Sequence, residues 1–177
     1  MLPPHKRRSC RQILNMLGVQ MPQPAGDERV RAWVSEHPQV RYVDLLLPDQ
    51  MGIPRGKRVT IEELETIVRD GLLLPASMFA LDALGGTVQS TGLGFDDGDA
   101  DRICLAVAGS LAPVPWLGPE VAQMQVSMYE HDRTPFHGDP RHVLGQVLGR
   151  FTSLGLRPVT VNENAYTAGA PSVPEVG

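Results

Sequence analysis

The clearest pattern of apolar and polar positions lies in residues 40–60. An extended apolar run from Val40 to Leu47 is followed by a turn rich in Pro, Asp and Gly, and then by a segment that contains Arg55, Lys57 and Arg58. Two extended segments separated by such a turn predict a β-hairpin. We therefore expect strand, turn and strand over this stretch.

A helix is predicted directly after the hairpin. Thr60 and Glu63 have the spacing of a capping box, in which the two side chains satisfy backbone amides at the start of a helix. The next positions at helical spacing give one apolar face, formed by Leu64, Ile67 and Val68. Gly71 is then expected to take a left-handed cap.

Three later segments predict mostly extended structure. Residues 121–130 alternate between apolar and polar side chains, which predicts a half-buried antiparallel strand, and the apolar run 103–107 predicts another strand. Residues 72–94 are interrupted by Pro and Gly. Short extended pieces joined by turns are expected there, with Gly85-Gly86 as a hairpin turn.

A longer helix is predicted after Asp139. Asp139 and Pro140 supply an N-cap and a proline at the first helical position, and Gly155 supplies the stop. One apolar stripe runs between them: Val143, Leu144, Val147, Leu148, Phe151 and Leu154. Two glycines interrupt the helix at a cost of about 1 kcal/mol each relative to Ala, so it needs tertiary packing to persist. A strand is expected next, at residues 157–161.

The two ends of the chain lack a core-forming pattern. Residues 1–26 form a basic leader, which is separated by a Pro and Gly linker from a short helix that starts at Asp27 and stops at Pro38. We expect a flexible leader, with a transit peptide or a helix that docks on a partner subunit as the alternatives. Residues 167–177 are small residues and prolines, which favours a disordered tail.

Composition and charge exclude several classes of protein. The 177 residues are 42% hydrophobic and 20% charged, with a formal net charge of −4, so a globular protein is expected and a nucleic-acid surface is not. No apolar run approaches the about 18 residues that span a bilayer, so no membrane partner is expected. Cys10 and Cys104 have no metal-binding spacing, which favours reduced thiols in a cytoplasmic protein. The acidic loop at residues 96–101 lacks the calcium-loop pattern and is expected to be a solvated turn.

Six motifs follow one another over residues 38–161: YVDLLLPDQMGIPRGKRV, DGLLLPASMFALD, TGLG, GDADRICLAVAGSLAPVPW, SMYEHDRTPFHGDPRHVL and LGLRPV. In this order and spacing they resemble the amino-terminal part of the glutamine synthetase family, and most of all its γ-glutamylputrescine (polyamine) synthetase branch. The resemblance implies an α+β fold. A β-grasp domain, a mixed sheet packed on a helix, is implied at residues 27–138, and the first helix and strand of a truncated catalytic domain at residues 139–166.

The same resemblance implies the chemistry of a whole family enzyme. Such an enzyme is an ATP-dependent ligase that uses Mg²⁺ or Mn²⁺ to join the γ-carboxyl group of glutamate to ammonia or an amine. Its active site lies between the amino-terminal domain of one subunit and the catalytic domain of the next, which implies a homo-oligomeric ring as the assembly. Because most of the catalytic domain has no counterpart here, ATP and the ion are not expected to bind this chain tightly.

Individual residues carry over unevenly. Ammonia-using members have Asp-Gly-Ser-Ser after the first helix, and that Asp helps to hold and deprotonate ammonium, whereas the matching residues here are 75–78, Pro-Ala-Ser-Met. Because a proline accepts no proton, a bulkier amine such as putrescine is favoured over ammonia. Ser77 is a candidate substrate contact, or an ordinary turn serine. Arg55, Lys57 and Arg58 are candidates for a subunit interface, or for a solvated basic edge.

The metal site of the family is only half matched. Its Glu-x-Glu pair places two carboxylates on one face of a strand, and here Glu163 matches the first while Ala165 stands at the second. Two functions remain open: a ligase of this family that is inactive in the part represented here, or a non-catalytic β-grasp module that assembles with full-length subunits. Acyl transfer through Cys104 is disfavoured because no motif supplies a His or Asp partner.

Overall fold

A computed structural model describes residues 27–94 and 98–159 of the chain. In chain order its elements are α1 (Asp27–Glu36), β1 (Tyr42–Pro48), β2 (Pro54–Thr60), α2 (Ile61–Asp70), β3 (Leu72–Pro75), β4 (Asp101–Ala106), β5 (Ala112–Pro113), β6 (Val121–Tyr129) and α3 (Pro140–Ser153). A short 3-10 turn follows β3 at Ala76–Ala80, a second lies at Gln89–Thr91, and a third follows β5 at Pro115–Leu117. The α+β class predicted from the sequence is confirmed.

The strands form one mixed sheet in the order β2-β1-β6-β4-β3, and β5 pairs with β6 outside this path. The central strands β1 and β6 are parallel, while the other pairs are antiparallel. The strand predicted at residues 121–130 is therefore antiparallel to β4 and β5 but parallel to β1. An alternating pattern reports which face of a strand is buried and carries no information on the direction of its neighbours.

The predicted hairpin and helix are confirmed. β1 and β2 pair in an antiparallel register that sets Val43 opposite Val59. At the start of α2 the Glu63 carboxylate accepts hydrogen bonds from the backbone N–H and the hydroxyl of Thr60, at 2.9 and 3.1 Å. The apolar face of α2 is buried in the core with the inward side chains of β1 and β6. The end of α2 differs from the prediction, since Gly71 has a φ of 91° with a ψ of 172°, outside the left-handed helical region.

Helix α3 has the predicted cap, but the structure exposes its apolar stripe. The six stripe side chains, from Val143 to Leu154, are between 38% and 73% exposed, whereas His142 and Gly149 are the buried residues of this helix. The helix contacts the sheet through its first turn, and none of the described elements covers the stripe. The packing that α3 was expected to need is therefore not supplied by residues 27–94 and 98–159.

Several predictions fall wholly or partly outside the described residues. These are the leader at 1–26, the first two residues of the acidic loop (96 and 97), Glu163 and the tail at 167–177. Residues 157–159 are not in a strand, and the rest of the strand predicted at 157–161 is not described. The division into domains at residues 27–138 and 139–166 stays a prediction. In the described ranges, no helix has the length and apolar character needed to cross a membrane.

Candidate functional site

The parallel strands β1 and β6 stop on the same side of the sheet, and each is followed by a loop there. This edge of the sheet is the side at which these strands end. The β1–β2 turn begins there, after Pro48. β3 ends at Pro75, which pairs with Asp101 at the start of β4. Two residues further along β4, Ile103 pairs with Tyr129, the last residue of β6. The segment that follows β3 therefore starts at the same edge. Loops that a rigid sheet holds together in this way are common positions for binding residues.

Ser77 lies at this edge, on the 3-10 turn Ala76–Ala80, and its side chain is half-buried. The turn is fixed from beneath because the Phe79 ring stacks on Phe136, with ring centroids 5.7 Å apart. Gly94 returns directly beside Ser77: a Cβ atom on Gly94 would lie 3.6 Å from the Cβ of Ser77. The structure thus places the predicted substrate contact on a packed turn at the edge of the molecule, and its role stays a prediction.

Asp49 organises the β1–β2 turn and was not singled out by the sequence. Its carboxylate is buried and accepts the backbone N–H groups of Met51 and Ile53, both at 2.8 Å. The Arg55 Nε atom donates to the same carboxylate at 2.6 Å. Burial disfavours the ionised carboxylate, but these hydrogen bonds outweigh it and hold the pKa of Asp49 below its usual value. The signal that was available in the sequence is the Asp before a turn Gly, which is typical of side-chain-capped turns.

The β1–β2 turn also contacts the two chain segments that flank it in space. The Arg55 Nη2 atom donates to the backbone carbonyl of Asp82 at 2.7 Å, which ties the turn to the segment after Ser77. The Gln50 side-chain amide donates to the carbonyl of Gly138 at 2.6 Å, next to the start of α3. The turn therefore connects the sheet with residues 76–94, the segment that contains Ser77, and with the last described helix.

The three basic residues predicted for a subunit interface have different surroundings. The Arg55 side chain is mostly buried in the contacts just described. Arg58 lies on the other face of β2, where its guanidinium forms two hydrogen bonds to Asp44, at 2.7 and 2.9 Å, and Lys57 is exposed. β2, the strand that carries all three residues, is an outermost strand of the sheet. An interface role stays a prediction for all three residues.

A second packed polar group at this edge was also missed. The Arg102 Nε atom donates to the Glu130 carboxylate at 3.1 Å, and its guanidinium carbon lies 4.6 Å from the centroid of the Phe136 ring. The sequence predicts only a solvated turn at residues 96–101, directly before Arg102. The structure instead places Asp101 at the first position of β4 and Arg102 over the aromatic residue that supports the Ser77 turn.

Neither metal binding nor thiol chemistry has a site in the described residues. No three His, Cys, Asp or Glu side chains lie together in residues 27–94 and 98–159 so as to hold a metal ion, and Glu163 lies outside them. The described residues therefore do not fit a metal site by themselves. The Cys104 thiol is buried, and burial together with Asp139 and Asp101 raises its pKa to about 12, so the reactive thiolate is disfavoured.

The proteins of known identity that are similar to this chain include a γ-glutamylputrescine synthetase and glutamine synthetases. γ-Glutamylputrescine synthetase PuuA of Escherichia coli (strain K12) is 38% identical over 136 residues, which are 77% of this chain and 29% of the relative. The glutamine synthetase of Pyrococcus horikoshii is 29% identical over 119 residues, which are 67% of this chain and 24% of the relative. The chain thus spans less than a third of the length of these relatives. No protein-family model matches it.

Several solved structures have a fold similar to that of this chain. The ADP complex of GmaS (conformation 1) superposes with a TM-score of 0.55 at 22% identity, over 76% of this chain and 26% of that one. A glutamine synthase homologue superposes with a TM-score of 0.57 at 24% identity, over 65% of this chain and 27% of that one. At these identities the likeness concerns the fold alone.

Proposed function

Since this chain is a homologue of γ-glutamylputrescine synthetase and of the glutamine synthetases, we propose that it supplies the amino-terminal part of an ATP-dependent ligase that joins the γ-carboxyl group of glutamate to an amine. The observation that carries the proposal is the 38% identity with γ-glutamylputrescine synthetase over 77% of the chain. The whole ligase would be a cytoplasmic ring of homologous subunits that uses ATP with Mg²⁺ or Mn²⁺. The acceptor would be a polyamine such as putrescine, with ammonia as the weaker candidate.

In this proposal the contribution of the chain is to bind the amine. Pro75 ends β3 where ammonia-using members of the family carry an Asp, so this chain offers no carboxylate there to hold ammonium. Ser77, two residues further along, presents its hydroxyl on a turn that is supported by buried aromatic rings. A hydroxyl both donates and accepts hydrogen bonds, which suits an uncharged amine about to attack an activated carboxylate.

The chain alone is proposed to be inactive, because its described residues hold no cluster that would bind the ions needed to activate a carboxylate. The test is ADP release by the full chain with glutamate, ATP, magnesium and putrescine. Release at the background level is expected. Turnover by the pure chain would contradict the proposal that the rest of a catalytic domain is required.

The second candidate, a non-catalytic module that assembles with full-length subunits, is favoured by one observation. The stripe on α3 exposes six apolar side chains on one helix face, and contiguous apolar surface of this kind is typical of an interaction site. Mixing the chain with an intact homologue and measuring ring mass tests this function. Failure to co-assemble would remove it.

A further inference from the structure

We propose that Arg55 is a positioning residue, which holds residues 76–94, the Ser77 segment, at the edge of the sheet. The inference rests on the proposed role of Ser77 in amine binding. It differs from the interface role predicted for Arg55, because the contacts that support it lie within one chain. Arg55 is proposed to act through the segment and not to touch the substrate.

The guanidinium of Arg55 is held at one end by a buried, hydrogen-bonded carboxylate. Asp49 is 3% exposed and is held by the N–H groups of Met51 and Ile53, so the Arg55 Nε atom donates to a rigid acceptor 2.6 Å away. The Arg55 side chain is itself 18% exposed. A charge-assisted hydrogen bond between groups this deeply packed restricts the direction of the guanidinium plane.

The other end of the guanidinium reaches a stiff part of the Ser77 segment. Nη2 donates to the carbonyl oxygen of Asp82 at 2.7 Å. The Asp82 carboxylate accepts the N–H groups of Leu84 and Gly86, at 2.9 and 2.8 Å, and the Asp82 N–H donates to the Gly86 carbonyl at 2.8 Å. Because this small hairpin is closed by its own hydrogen bonds, fixing one carbonyl fixes the whole hairpin.

The hairpin in turn borders the position of Ser77. Thr87 forms the bridge with Leu81 that closes the hairpin. A Cβ atom on Gly94 would lie 3.9 Å from the Thr87 Cγ2 atom and 3.6 Å from the Ser77 Cβ atom, so the end of the segment lies between the hairpin and Ser77. Arg55 is thus linked to Ser77 by its hydrogen bond to the hairpin and by the backbone of Gly94, which lies next to both the hairpin and Ser77.

This arrangement requires the shape of arginine as well as its charge. Arg55 donates from Nε and Nη2 in two directions at once, which a planar guanidinium does and a single ammonium group on a flexible stem does not. A lysine at this position is expected to keep the ion pair with Asp49 and to lose the bond to Asp82. Arg55→Lys therefore separates the stability of the turn from the position of the Ser77 segment.

The test is amide hydrogen exchange of the full chain, measured by mass spectrometry for wild type, Arg55→Lys and the control Arg58→Met. Arg58 lies on the same strand and pairs with Asp44 on the opposite face. We expect Arg55→Lys to keep the wild-type thermal midpoint but to raise exchange at least tenfold in peptides from residues 76–94. Arg58→Met is expected to leave those peptides unchanged. Equal protection of the segment in Arg55→Lys and wild type would overturn the proposal, as would an increase spread evenly over the chain.

A second measurement separates this inference from the proposed function. The segment of the Escherichia coli relative that matches this chain is replaced by the corresponding residues of this chain, and the swapped enzyme is assayed with and without Arg55→Lys. A higher KM for the amine with an unchanged KM for ATP is expected, whereas a fall in kcat alone would contradict a positioning role. If the swapped enzyme is inactive while the exchange result holds, the proposed function fails and the role of Arg55 in ordering the segment stands.

Discussion

The Asp139 carboxylate accepts the backbone N–H of Met128 with one oxygen and that of Arg141 with the other, at 2.7 and 2.8 Å. The first bond reaches β6 and the second caps α3, so one buried side chain joins the sheet to the last described helix. His142 adds to this junction because its Nε2 atom lies 2.8 Å from the Met128 carbonyl oxygen. The sequence predicted the cap alone, since nothing in a one-dimensional pattern links Asp139 to a strand.

Replacing Asp139 with Ala is expected to lower the free energy of unfolding by about 2–4 kcal/mol, from a lost N-cap and a buried amide left unsatisfied. Urea denaturation of the full chain measures this. Asp132→Ala is the matched control, because Asp132 also accepts a backbone N–H, that of Thr134, but on an exposed loop. The control is expected to cost under about 1 kcal/mol. Equal losses in the two variants would show that Asp139 does not join the sheet to the helix.

The stability of the β1–β2 turn is expected to depend on pH through Asp49. Its pKa is lowered in the folded chain from an ordinary value of 3.8, since the hydrogen bonds from Arg55, Ile53 and Met51 outweigh the effect of burial. A carboxylate of this kind stabilises the fold above its unfolded pKa, and that stability is lost as the pH falls through the folded pKa. Asp49→Asn should therefore be less stable than wild type at pH 7, and the difference should narrow below pH 3.8.

Denaturant titrations at pH 7 and pH 3 measure the difference in the free energy of unfolding between wild type and Asp49→Asn. The comparison between wild type and variant is needed because the pKa values of Asp44, Asp70 and Asp132 are lowered as well, so acid weakens the chain at several places. A difference that stays constant with pH would contradict the account of Asp49.

Gly56 is expected to tolerate no side chain. A Cβ atom there would lie 1.7 Å from the carbonyl oxygen of Leu45 on the paired strand, so the backbone of the hairpin would have to move. Gly56→Ala should lower the free energy of unfolding by about 3 kcal/mol. The control is Gly109→Ala, which has a φ of 75° but nothing within 4 Å of the added atom. It should cost about 1–2 kcal/mol, from the backbone conformation alone, and a larger loss at Gly109 than at Gly56 would refute the packing argument.

The exposed stripe of α3 is expected to matter for assembly and little for the stability of the chain. Leu144 and Leu148 are 58% and 38% exposed, so changing both to Gln should alter the free energy of unfolding by about 1 kcal/mol or less. Leu64→Ala, at a fully buried position of α2, should cost about 2–5 kcal/mol in the same assay. If the stripe is an interaction site, the double variant should no longer co-sediment with an intact homologue that the wild-type chain binds.

The sequence predicts local structure well where one residue pattern decides it. The hairpin, the capping box at Thr60 and Glu63, and the start of α3 all depend on neighbouring residues, and all three were correct. The parallel pairing of β1 with β6 could not be predicted in this way, because it depends on how distant segments meet. The link from Arg55 to Asp82 was missed for the same reason: its partner is 27 positions away and is a backbone carbonyl, which every residue has.

We propose that this chain forms the amine-facing part of a γ-glutamyl ligase, and a chimeric enzyme tests this role. The Escherichia coli γ-glutamylputrescine synthetase that carries residues 27–159 of this chain in place of its matching segment is assayed for ADP release with putrescine and with ammonia. We predict a higher kcat/KM for putrescine than for ammonia, and a shift toward ammonia when Pro75→Asp is added. A swapped enzyme that folds and assembles but prefers ammonia, or that turns over neither substrate, would contradict the claim.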